Sequence, residues 1–354
     1  MTESASPLGQ TLAGRFKVTA FLGNARGGSL YLAEQVPLGR NVTVKLLDPM
    51  ETDSPLRRRF FREAHALVKL TNPHIVRVFD LGNWGDRPYL VMENVEGKRL
   101  DDVFAEGPVD PLRLVQIARQ VCSAMSEAHA AGLVHRDLRP TNILLVEQGS
   151  EKDFVKVLDF GLVKDLGAEE HDTSAEGATI GSPWYVAPEQ IRGGQVDPRT
   201  DVYALGVMLY RGFAGRLPFS DQVTSEILRQ QIDRPAPPLP ESSDLPVSCR
   251  WTVATCLEKP PDHRFADMVE VGHALRLCAV ALVRPEWHAV SATLIEGRTK
   301  LPPNVPEDPF AHASPPAKRS FSWLLLVAAV ALFVFLVPVS ITFVVIAIKL
   351  FAGR

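Results

Sequence analysis

The spacing of apolar and polar positions changes along the chain from strand-like alternation to helix-like periodicity. Alternating apolar positions, bounded by glycine and polar turns, predict strands at residues 18–22, 29–34 and 41–47. The last of these strands places Val42, Val44 and Leu46 on one face. Helical spacing predicts helices at residues 56–70, 112–131, 201–214 and 251–257, the first with Phe60, Ala64, Leu67 and Val68 on one face. Strands followed by helices predict two lobes with a cleft between them.

A different pattern occupies the C-terminal end of the chain. Residues 324–348 form an uncharged apolar run of 25 residues, long enough to cross a hydrocarbon core about 30 Å thick. Buried core helices seldom stay uncharged beyond about 14 residues, so a transmembrane helix is expected at residues 323–349, in contact with the lipid bilayer. The run contains no G-x-x-x-G pattern, so dimerisation through it has no support in the sequence.

Shifts in composition divide the chain into five segments. We expect a polar lead at residues 1–13, a folded domain at 14–282, a proline-rich linker at 283–322, the transmembrane helix at 323–349 and a short tail at 350–354. The polar lead lacks the apolar segment of a secretory signal. The folded domain is therefore expected on the cytoplasmic side of a membrane that the chain crosses once.

Composition and charge exclude several classes of protein. Apolar residues make up 46% of the chain and charged residues 22%, which provides a sizeable core and excludes wholesale disorder. A net charge of −3 gives no long-range attraction to nucleic acid, so no nucleic-acid partner is expected. The four cysteines lack the spacing of a zinc site and are expected to be buried thiols; they are Cys122, Cys249, Cys256 and Cys278.

A glycine-rich turn follows the first predicted strand. It contains Leu22, Gly23, Asn24, Ala25, Arg26, Gly27 and Gly28, and Leu30 follows it. Glycines let backbone amides approach phosphate oxygens closely. Ala25 occupies the second glycine position of the G-x-G-x-x-G pattern, and this turn taken alone is more typical of an ordinary hairpin.

A lysine on the third predicted strand suits the same chemistry. Lys45 ends the stretch Val-Thr-Val-Lys and is expected to point into the cleft, where its ammonium can hold phosphates. Glu63, on the helix that follows, is the expected ion-pair partner of Lys45. Such a pair would hold that helix against the phosphate site.

Three further motifs appear in a fixed order and are the main evidence for the chemistry of the domain. Residues 135–142 match the pattern H-R-D-L-x-x-x-N, in which Asp137 can orient a hydroxyl and accept its proton, and Asn142 can reach a magnesium ion. Asp159 follows in an Asp-Phe-Gly triplet, and residues 187–189 form an Ala-Pro-Glu triplet. This order and spacing is improbable by chance.

At these motifs the chain resembles the eukaryotic-like serine/threonine protein kinases, over about residues 14–282. Residues 72–76 and 88–93 look most like the bacterial transmembrane branch of that family. The resemblance implies an α+β, bilobal protein-kinase fold, with a β-rich N-lobe and an α-helical C-lobe, followed here by one C-terminal transmembrane helix. It also implies transfer of the ATP γ-phosphate to Ser or Thr hydroxyls of protein substrates, in membrane-associated signalling at a bacterial inner membrane.

The resemblance assigns roles to individual residues. Asp137, Lys45, Arg139 and Glu63 would be catalytic, and Asn142 and Asp159 would hold Mg²⁺ or Mn²⁺. ATP would lie beneath the glycine-rich turn, with its base between Leu30, Thr43 and Leu144, next to the gatekeeper Met92 and the backbone of Glu93 and Val95. Supporting roles would fall to a stack of Leu67, Val78, His135 and Phe160, to an ion pair between Glu189 and Arg264, and to Asp201 as a brace for the catalytic loop.

Two residues depart from the family pattern at one expected location. Arg139 stands where serine/threonine kinases have Lys, and Ser182 stands where they have Thr. Arg keeps the positive charge but is larger and forked, so we hypothesise that the two changes accommodate each other. Arg at this position also occurs in some tyrosine kinases, although Pro140, Thr141 and the segment 182–185 fit the serine/threonine pattern better.

Arg136 implies an anion supplied by phosphorylation of the segment between residues 162 and 182. The candidate residues are Thr173, Ser174 and Thr179, and Glu176 is a partial substitute.

Two other functions remain open. A pseudokinase would bind nucleotide and recruit partners to the membrane without transfer, and a small-molecule kinase would share the fold without needing the Ala-Pro-Glu motif.

Overall fold

The computed structural model divides the chain into two units, Met1–Asp308 and Pro309–Arg354. It describes residues 6–149, 151–160, 182–240, 245–284 and 286–287, all within the first unit. The predicted transmembrane helix and the candidate phosphorylation residues lie outside this description, as does nearly all of the predicted linker. Within the described ranges, no helix combines the length and apolar character needed to cross a bilayer.

The N-terminal part of the domain is built on one antiparallel sheet of six strands. The strands are β1 (Thr11–Leu12), β2 (Phe16–Ala25), β3 (Gly28–Gln35), β4 (Arg40–Leu47), β5 (Val78–Trp84) and β6 (Arg87–Glu93), in the spatial order β1-β2-β3-β4-β6-β5. The three predicted strands are confirmed as parts of β2, β3 and β4. Val42, Val44 and Leu46 are fully buried in the core of this sheet, and β1 was not predicted.

One helix packs against this sheet. Helix α1 (Pro55–Val68) begins at Ser54, whose hydroxyl accepts a hydrogen bond from the Arg57 backbone amide at 3.2 Å. Phe60, Ala64 and Leu67 are buried as predicted. The expectation for Val68 was wrong, since Val68 is 42% exposed. The buried stripe runs through Arg57, Phe60, Ala64 and Leu67, and Val68 lies about 100° around the helix from Leu67.

The guanidinium of Arg57 fixes the N-terminal turn of α1 to the sheet. Its nitrogens donate to the carbonyl of Met50 at 2.7 Å, to the carbonyl of Asp86 at 3.3 Å and to Oδ1 of Asn83 at 2.6 Å. Met50 follows β4, Asn83 lies on β5 and Asp86 lies in the turn between β5 and β6. Arg57 is only 6% exposed. A buried arginine is tolerated here because its donors are satisfied by neighbouring oxygens.

The C-terminal part of the domain is mainly helical. Its helices are α2 (Leu100–Ala105), α3 (Pro111–Ala130), α4 (Pro188–Ile191), α5 (Pro198–Ala214), α6 (Thr224–Asp233), α7 (Val247–Cys256) and α8 (Met268–Val283). Helix α5 is buried on every side, as expected for a helix at the centre of a lobe. Asp110 and Asp197 cap α3 and α5, each with a proline at the first helical position. All four cysteines are buried, as predicted.

A small second sheet positions the motif residues. Its strands β7 (Lys98–Arg99), β8 (Ile143–Gln148) and β9 (Glu151–Val157) lie in that order. Because β8 and β9 form an antiparallel hairpin, the segment before β8 and the segment after β9 meet at one end. The amide of Leu158 donates to the carbonyl of Asn142 at 2.8 Å. Asn142 and Asp159, seventeen positions apart in the sequence, are therefore neighbours.

A buried ion pair joins α4 to the loop between α7 and α8. The guanidinium of Arg264 donates two hydrogen bonds to the carboxylate of Glu189, at 2.9 and 2.8 Å, which confirms the predicted pair. Thr200 also donates to this carboxylate at 2.8 Å. Burial raises the pKa of Glu189, but the hydrogen bonds and charge of Arg264 outweigh it and hold the pKa below its ordinary value.

Replacing Arg264 with methionine is expected to destabilise the domain by about 3–5 kcal/mol, because Glu189 would remain buried without its partner. Arg229→Met, which removes an exposed pair with Glu226, should leave the stability nearly unchanged. Urea unfolding at pH 7, followed by circular dichroism, measures both. Equal costs for the two variants would contradict this expectation.

The cost of Arg264→Met should also depend on pH. In the wild type the pKa of Glu189 is depressed, so its stabilisation is complete above the ordinary pKa of about 4.3 and is lost as the pH falls through the depressed value. In the variant, burial without the arginine raises the pKa, so acid protonates Glu189 and relieves the cost. The stability gap between wild type and variant should therefore narrow between pH 7 and pH 4.

Candidate active site

Lys45 and Asp159 face each other across the cleft. The ammonium of Lys45 lies 2.9 Å from Oδ1 of Asp159, and the Lys45 side chain is only 8% exposed. Burial raises the pKa of Asp159, but the charge and hydrogen bond of Lys45 outweigh it and hold the pKa below its ordinary value. Asp159 is therefore a carboxylate at neutral pH, as a cation ligand must be.

The predicted ion pair between Lys45 and Glu63 is wrong for this structure. Oε1 of Glu63 instead accepts a hydrogen bond from Nε of Arg59 at 2.9 Å. Residues four positions apart on a helix are neighbours on its surface, so Arg59 reaches Glu63 without any movement of α1. Lys45 is satisfied by Asp159 in the same arrangement.

The catalytic loop, residues 135–142, is held in place by Asp201, as predicted. Its carboxylate accepts hydrogen bonds from the backbone amides of His135 at 2.8 Å and Arg136 at 2.9 Å, and from Nε2 of His129 at 2.8 Å. Burial raises the pKa of Asp201, but the hydrogen bond and charge of His129 lower it more, and the net direction is down. The loop is therefore anchored to a charged group at the first turn of α5.

Asp137 lies among the other loop residues that the sequence singled out. Nδ2 of Asn142 donates to the Asp137 carbonyl at 2.8 Å and lies 3.4 Å from its Oδ2. Nε of Arg139 is 3.6 Å from the same Oδ2. The structure thus places Asn142 and Arg139 next to the carboxylate of Asp137, the predicted base.

Two residues of the site have backbone conformations that residues other than glycine seldom adopt. The φ angles of Arg136 and Asp159 are 63° and 49°. Such strain persists only where the surroundings impose it. Besides the Asp201 contact to its amide, Arg136 receives a hydrogen bond at its carbonyl from Nε2 of Gln190, at 2.9 Å. The residue that follows the Ala-Pro-Glu motif is thereby linked directly to the catalytic loop.

The predicted nucleotide residues are distributed over the β2–β3 hairpin, strands β4 and β6 and the second sheet. Residues 22–30 form the β2–β3 hairpin, in which Ala25 pairs with Gly28, and Leu30 pairs with Lys45 across β3 and β4. Gly28 cannot be replaced without distortion, because a Cβ there would lie 2.2 Å from the carbonyl oxygen of Leu46. Leu144 lies on β8, in the C-lobe sheet.

A mainly apolar recess extends behind Met92, and ten residues line it: Lys45, Leu47, Phe60, Leu67, Val76, Val78, Leu90, Met92, Asp159 and Phe160. The rings of His135 and Phe160 are 4.8 Å apart. Leu67, Val78 and Phe160, three members of the predicted stack, thus line one recess, and the fourth member, His135, lies against Phe160.

Several contacts around the cleft were not predicted from the sequence. The carboxylate of Glu93 lies 2.6 Å from Nζ of Lys156 and accepts from the Arg77 amide at 3.2 Å. The hydroxyl of Thr43 donates to Oδ1 of Asn94 at 3.0 Å. Nothing in a single sequence marks Asn94, a polar residue in the connection between the lobes, as a neighbour of Thr43.

Residues 184 and 185, which precede the Ala-Pro-Glu motif, are held by hydrogen bonds from two different helices. The carbonyl of Trp184 accepts from Nε2 of Gln231 at 2.5 Å, and the hydroxyl of Tyr185 accepts from Arg211 at 2.8 Å. Burial raises the pKa of Tyr185 to about 12, so the hydroxyl is neutral. The proposed accommodation between Arg139 and Ser182 remains a prediction.

The residues present suit a divalent cation that arrives with a nucleotide. No group of three or more His, Cys, Asp or Glu side chains that could hold a metal occurs in the described part of the chain. Magnesium is ordinarily bound by one or two carboxylates together with substrate phosphates and water. Asp159 and Asn142 provide such a partial set of oxygen ligands, so the donor set fits Mg²⁺ or Mn²⁺.

The comparisons with known proteins agree with this geometry. The protein kinase domain family matches residues 16–275, so the chain belongs to the protein kinase family. It is 37% identical over 286 residues to the serine/threonine-protein kinase Pkn1 of Myxococcus xanthus, a match covering 80% of this chain and 41% of Pkn1. It is 36% identical over 279 residues to the serine/threonine-protein kinase PknL of Mycobacterium tuberculosis, covering 78% of this chain and 68% of PknL.

A solved structure matches as well. The crystal structure of the Mycobacterium tuberculosis PknI kinase domain superposes with a TM-score of 0.57 at 28% identity, covering 77% of this chain and 98% of that domain. The chain spans about two fifths of the length of Pkn1 and about a third of the length of Pkn2, another kinase of Myxococcus xanthus.

Replacing Arg59, which competes with Lys45 for Glu63, is expected to increase phosphate transfer. A partly buried pair at this helical spacing contributes about 0.3–0.5 kcal/mol. Arg59→Leu should therefore raise the fraction of molecules in which Glu63 can reach Lys45, and with it kcat/KM for ATP, roughly twofold. Arg58→Leu is the matched control, because among the residues that the structure describes the Arg58 side chain donates only to the Asp53 carbonyl. Steady-state phosphate transfer measures the difference, and an unchanged or lower kcat/KM in Arg59→Leu would contradict the expectation.

Proposed function

We propose that the chain is a serine/threonine protein kinase that transfers the ATP γ-phosphate to Ser or Thr hydroxyls of proteins. The observation that carries this proposal is the convergence of Lys45, Asp137, Asn142 and Asp159 in one cleft, where two carboxylates, an amide and an ammonium face the same space. Phosphoryl transfer requires mainly positioning and neutralisation of charge. These side chains provide both.

Each residue has a distinct task in this mechanism. Asp137 orients the substrate hydroxyl and accepts its proton, and Asn142 holds the Asp137 backbone in place. Lys45 and Arg139 supply positive charge to the phosphates. Asp159 and Asn142 would hold the Mg²⁺ or Mn²⁺, which neutralises charge on the β- and γ-phosphates when bound. The hairpin of residues 22–30 covers the nucleotide with backbone amides.

The membrane anchor forms a second part of the proposal. Residues 323–349 would fix the kinase to a bacterial inner membrane with its catalytic domain on the cytoplasmic side, and the support is the uncharged apolar run at residues 324–348. Autophosphorylation at Thr173, Ser174 or Thr179 would supply the anion for Arg136. Its support is the position of Arg136 directly before the predicted base Asp137 in the sequence.

A membrane-anchored scaffold that binds nucleotide without transfer is the second candidate. The engagement of Glu63 by Arg59 rather than by Lys45 favours it, and so do the departures at Ala25, Arg139 and Ser182. The retained Lys45, Asp137, Asn142 and Asp159 favour the enzyme.

The deciding experiment measures transfer of radiolabelled phosphate from MgATP to the full-length chain itself and to a generic protein substrate. Asp137→Asn removes the base and should lower transfer by about 10²–10⁴-fold, with nucleotide binding retained. Phosphoamino-acid analysis of the product should give phosphoserine or phosphothreonine. Nucleotide binding by the wild type without transfer would support the scaffold and overturn the enzyme.

A further inference from the structure

A series of buried hydrogen bonds ends at the backbone of Trp184, three residues before the Ala-Pro-Glu motif. Nε2 of Gln231, near the C-terminal end of α6, donates to the Trp184 carbonyl at 2.5 Å. Oε1 of Gln231 accepts from the hydroxyl of Tyr203 on α5, and Nζ of Lys259 donates to that hydroxyl at 3.2 Å. Gln231 and Tyr203 are completely buried, so each of their polar groups has to find its partner within the protein.

Lys259, in the loop between α7 and α8, sets the direction of this series. Its ammonium has three N–H groups and no acceptor. Three oxygens receive them: the hydroxyl of Tyr203, the Gln231 carbonyl at 2.7 Å and the Gln230 carbonyl at 3.4 Å. Because the Tyr203 oxygen accepts from Lys259, its hydrogen is directed at Oε1 of Gln231. The carboxamide of Gln231 is thereby held with its nitrogen toward Trp184.

The surroundings of Lys259 bring its titration near neutral pH. Nζ lies 4.1 Å from the centroid of the Phe219 ring. The charged groups that face it from the end of α4, from α6 and from its own loop are Arg192, Asp233, Glu258 and Arg264. Burial and then the two arginines lower the pKa of Lys259 to about 7, against the opposing effect of the two carboxylates. A neutral amine has a lone pair that can accept from the Tyr203 hydroxyl, so deprotonation removes the constraint on the direction of the series.

Residues 183–185 are near Arg139, and through it near the predicted base. The hydroxyl of Tyr185 accepts from Arg211 at 2.8 Å and lies within electrostatic reach of Arg139. Nε of Arg139 is in turn 3.6 Å from the carboxylate of Asp137. Since the proposed base is the group that a substrate hydroxyl has to reach, the backbone at residues 183–185 borders the path of the protein chain that carries this hydroxyl.

We infer that Lys259 is a positioning residue for protein substrates: through Tyr203 and Gln231 it holds the backbone of residues 183–185 in the shape that receives the chain carrying the acceptor hydroxyl. The inference rests on the proposed function. Nucleotide binding is assigned to other elements, the β2–β3 hairpin and strands β4 and β6. Loss of the ammonium should therefore weaken the use of protein substrates and leave the use of ATP unchanged.

A purely structural role predicts a different pattern. If Lys259 only fastened α5 to α6, its loss would lower the stability and the amount of active enzyme, which lowers kcat and leaves both KM values unchanged. A positioning role raises KM for the protein substrate alone. It also makes this KM follow the protonation of Lys259.

The experiment measures steady-state transfer from radiolabelled MgATP by the full-length chain to two protein substrates, dephosphorylated casein and the inactive Asp137→Asn chain. At pH 6.5, Lys259→Met should raise KM for the protein substrate about three- to tenfold, the equivalent of one lost hydrogen bond. Tyr203→Phe keeps the ring but removes the hydroxyl, and should raise the same KM by a similar factor. KM for ATP should stay within about twofold of the wild-type value in both variants.

A matched control tests whether any buried cation of the helical lobe has this effect. Arg250 also donates to two backbone carbonyls, those of Leu239 and Pro240, at 3.0 Å each. Arg250→Met should leave both KM values unchanged. Thermal unfolding of each variant verifies that it folds.

The pH profile gives a second readout. Between pH 6 and pH 8 the wild-type KM for the protein substrate should rise about threefold, because Lys259 loses its proton in this range. In Lys259→Met the KM should already be high at pH 6 and should not show this rise. A pH dependence shared by both chains would belong to the substrate and would count against the inference.

Unchanged KM values for the protein substrate in Lys259→Met and Tyr203→Phe, or an equal rise in Arg250→Met, would overturn the inference and leave the proposed kinase function standing. Failure of the wild type to phosphorylate either protein would instead remove the proposed function itself, and the inference with it.

Discussion

The carboxylate of Asp201 is the constraint on which the rest of the site depends. It is completely buried and accepts hydrogen bonds from two consecutive backbone amides of the catalytic loop and from a histidine of α3. A buried charge is tolerable only when several donors satisfy it. Here the donors belong to the loop that carries Asp137, so the cost of burying Asp201 and the shape of the loop are linked. The strained backbone of Arg136 is maintained by this link.

The site also requires residues that are distant in the sequence to meet at the end of one hairpin. Strands β8 and β9 bring Asn142 to Leu158, and β9 in turn exchanges backbone hydrogen bonds with the N-lobe, since Val157 donates to His74 and its carbonyl accepts from Val76. The hairpin thereby connects both lobes to Asn142 and Asp159, the predicted metal-binding residues. An enzyme that only positions and neutralises needs this kind of rigidity more than it needs reactive side chains.

Local sequence was sufficient wherever a fixed motif or a strong periodicity governs position. The faces of β4 and of most of α1, the buried pair of Glu189 with Arg264, and the grouping of Asp137, Asn142 and Asp159 were all predicted. Interactions for which two partners compete were not predicted correctly. Glu63 has both Lys45 and Arg59 within reach in principle, and only the placement of α1 decides between them. The two-residue strands β1 and β7 and the contact of Asn94 with Thr43 depend on tertiary packing, which leaves no periodic signal.

The anchoring of Arg57 has a consequence for how helix α1 can move. Its N-terminal turn is fastened to one oxygen on β5 and two in the segments next to the sheet strands, whereas Glu63 lies nearly two turns farther along. A fastened end makes that turn a pivot, so the helix can swing about Arg57 or roll around its own axis but cannot translate as a whole. A force applied to α1 therefore has its greatest leverage at the far end of the helix, near Leu67, where the distance from the pivot is longest.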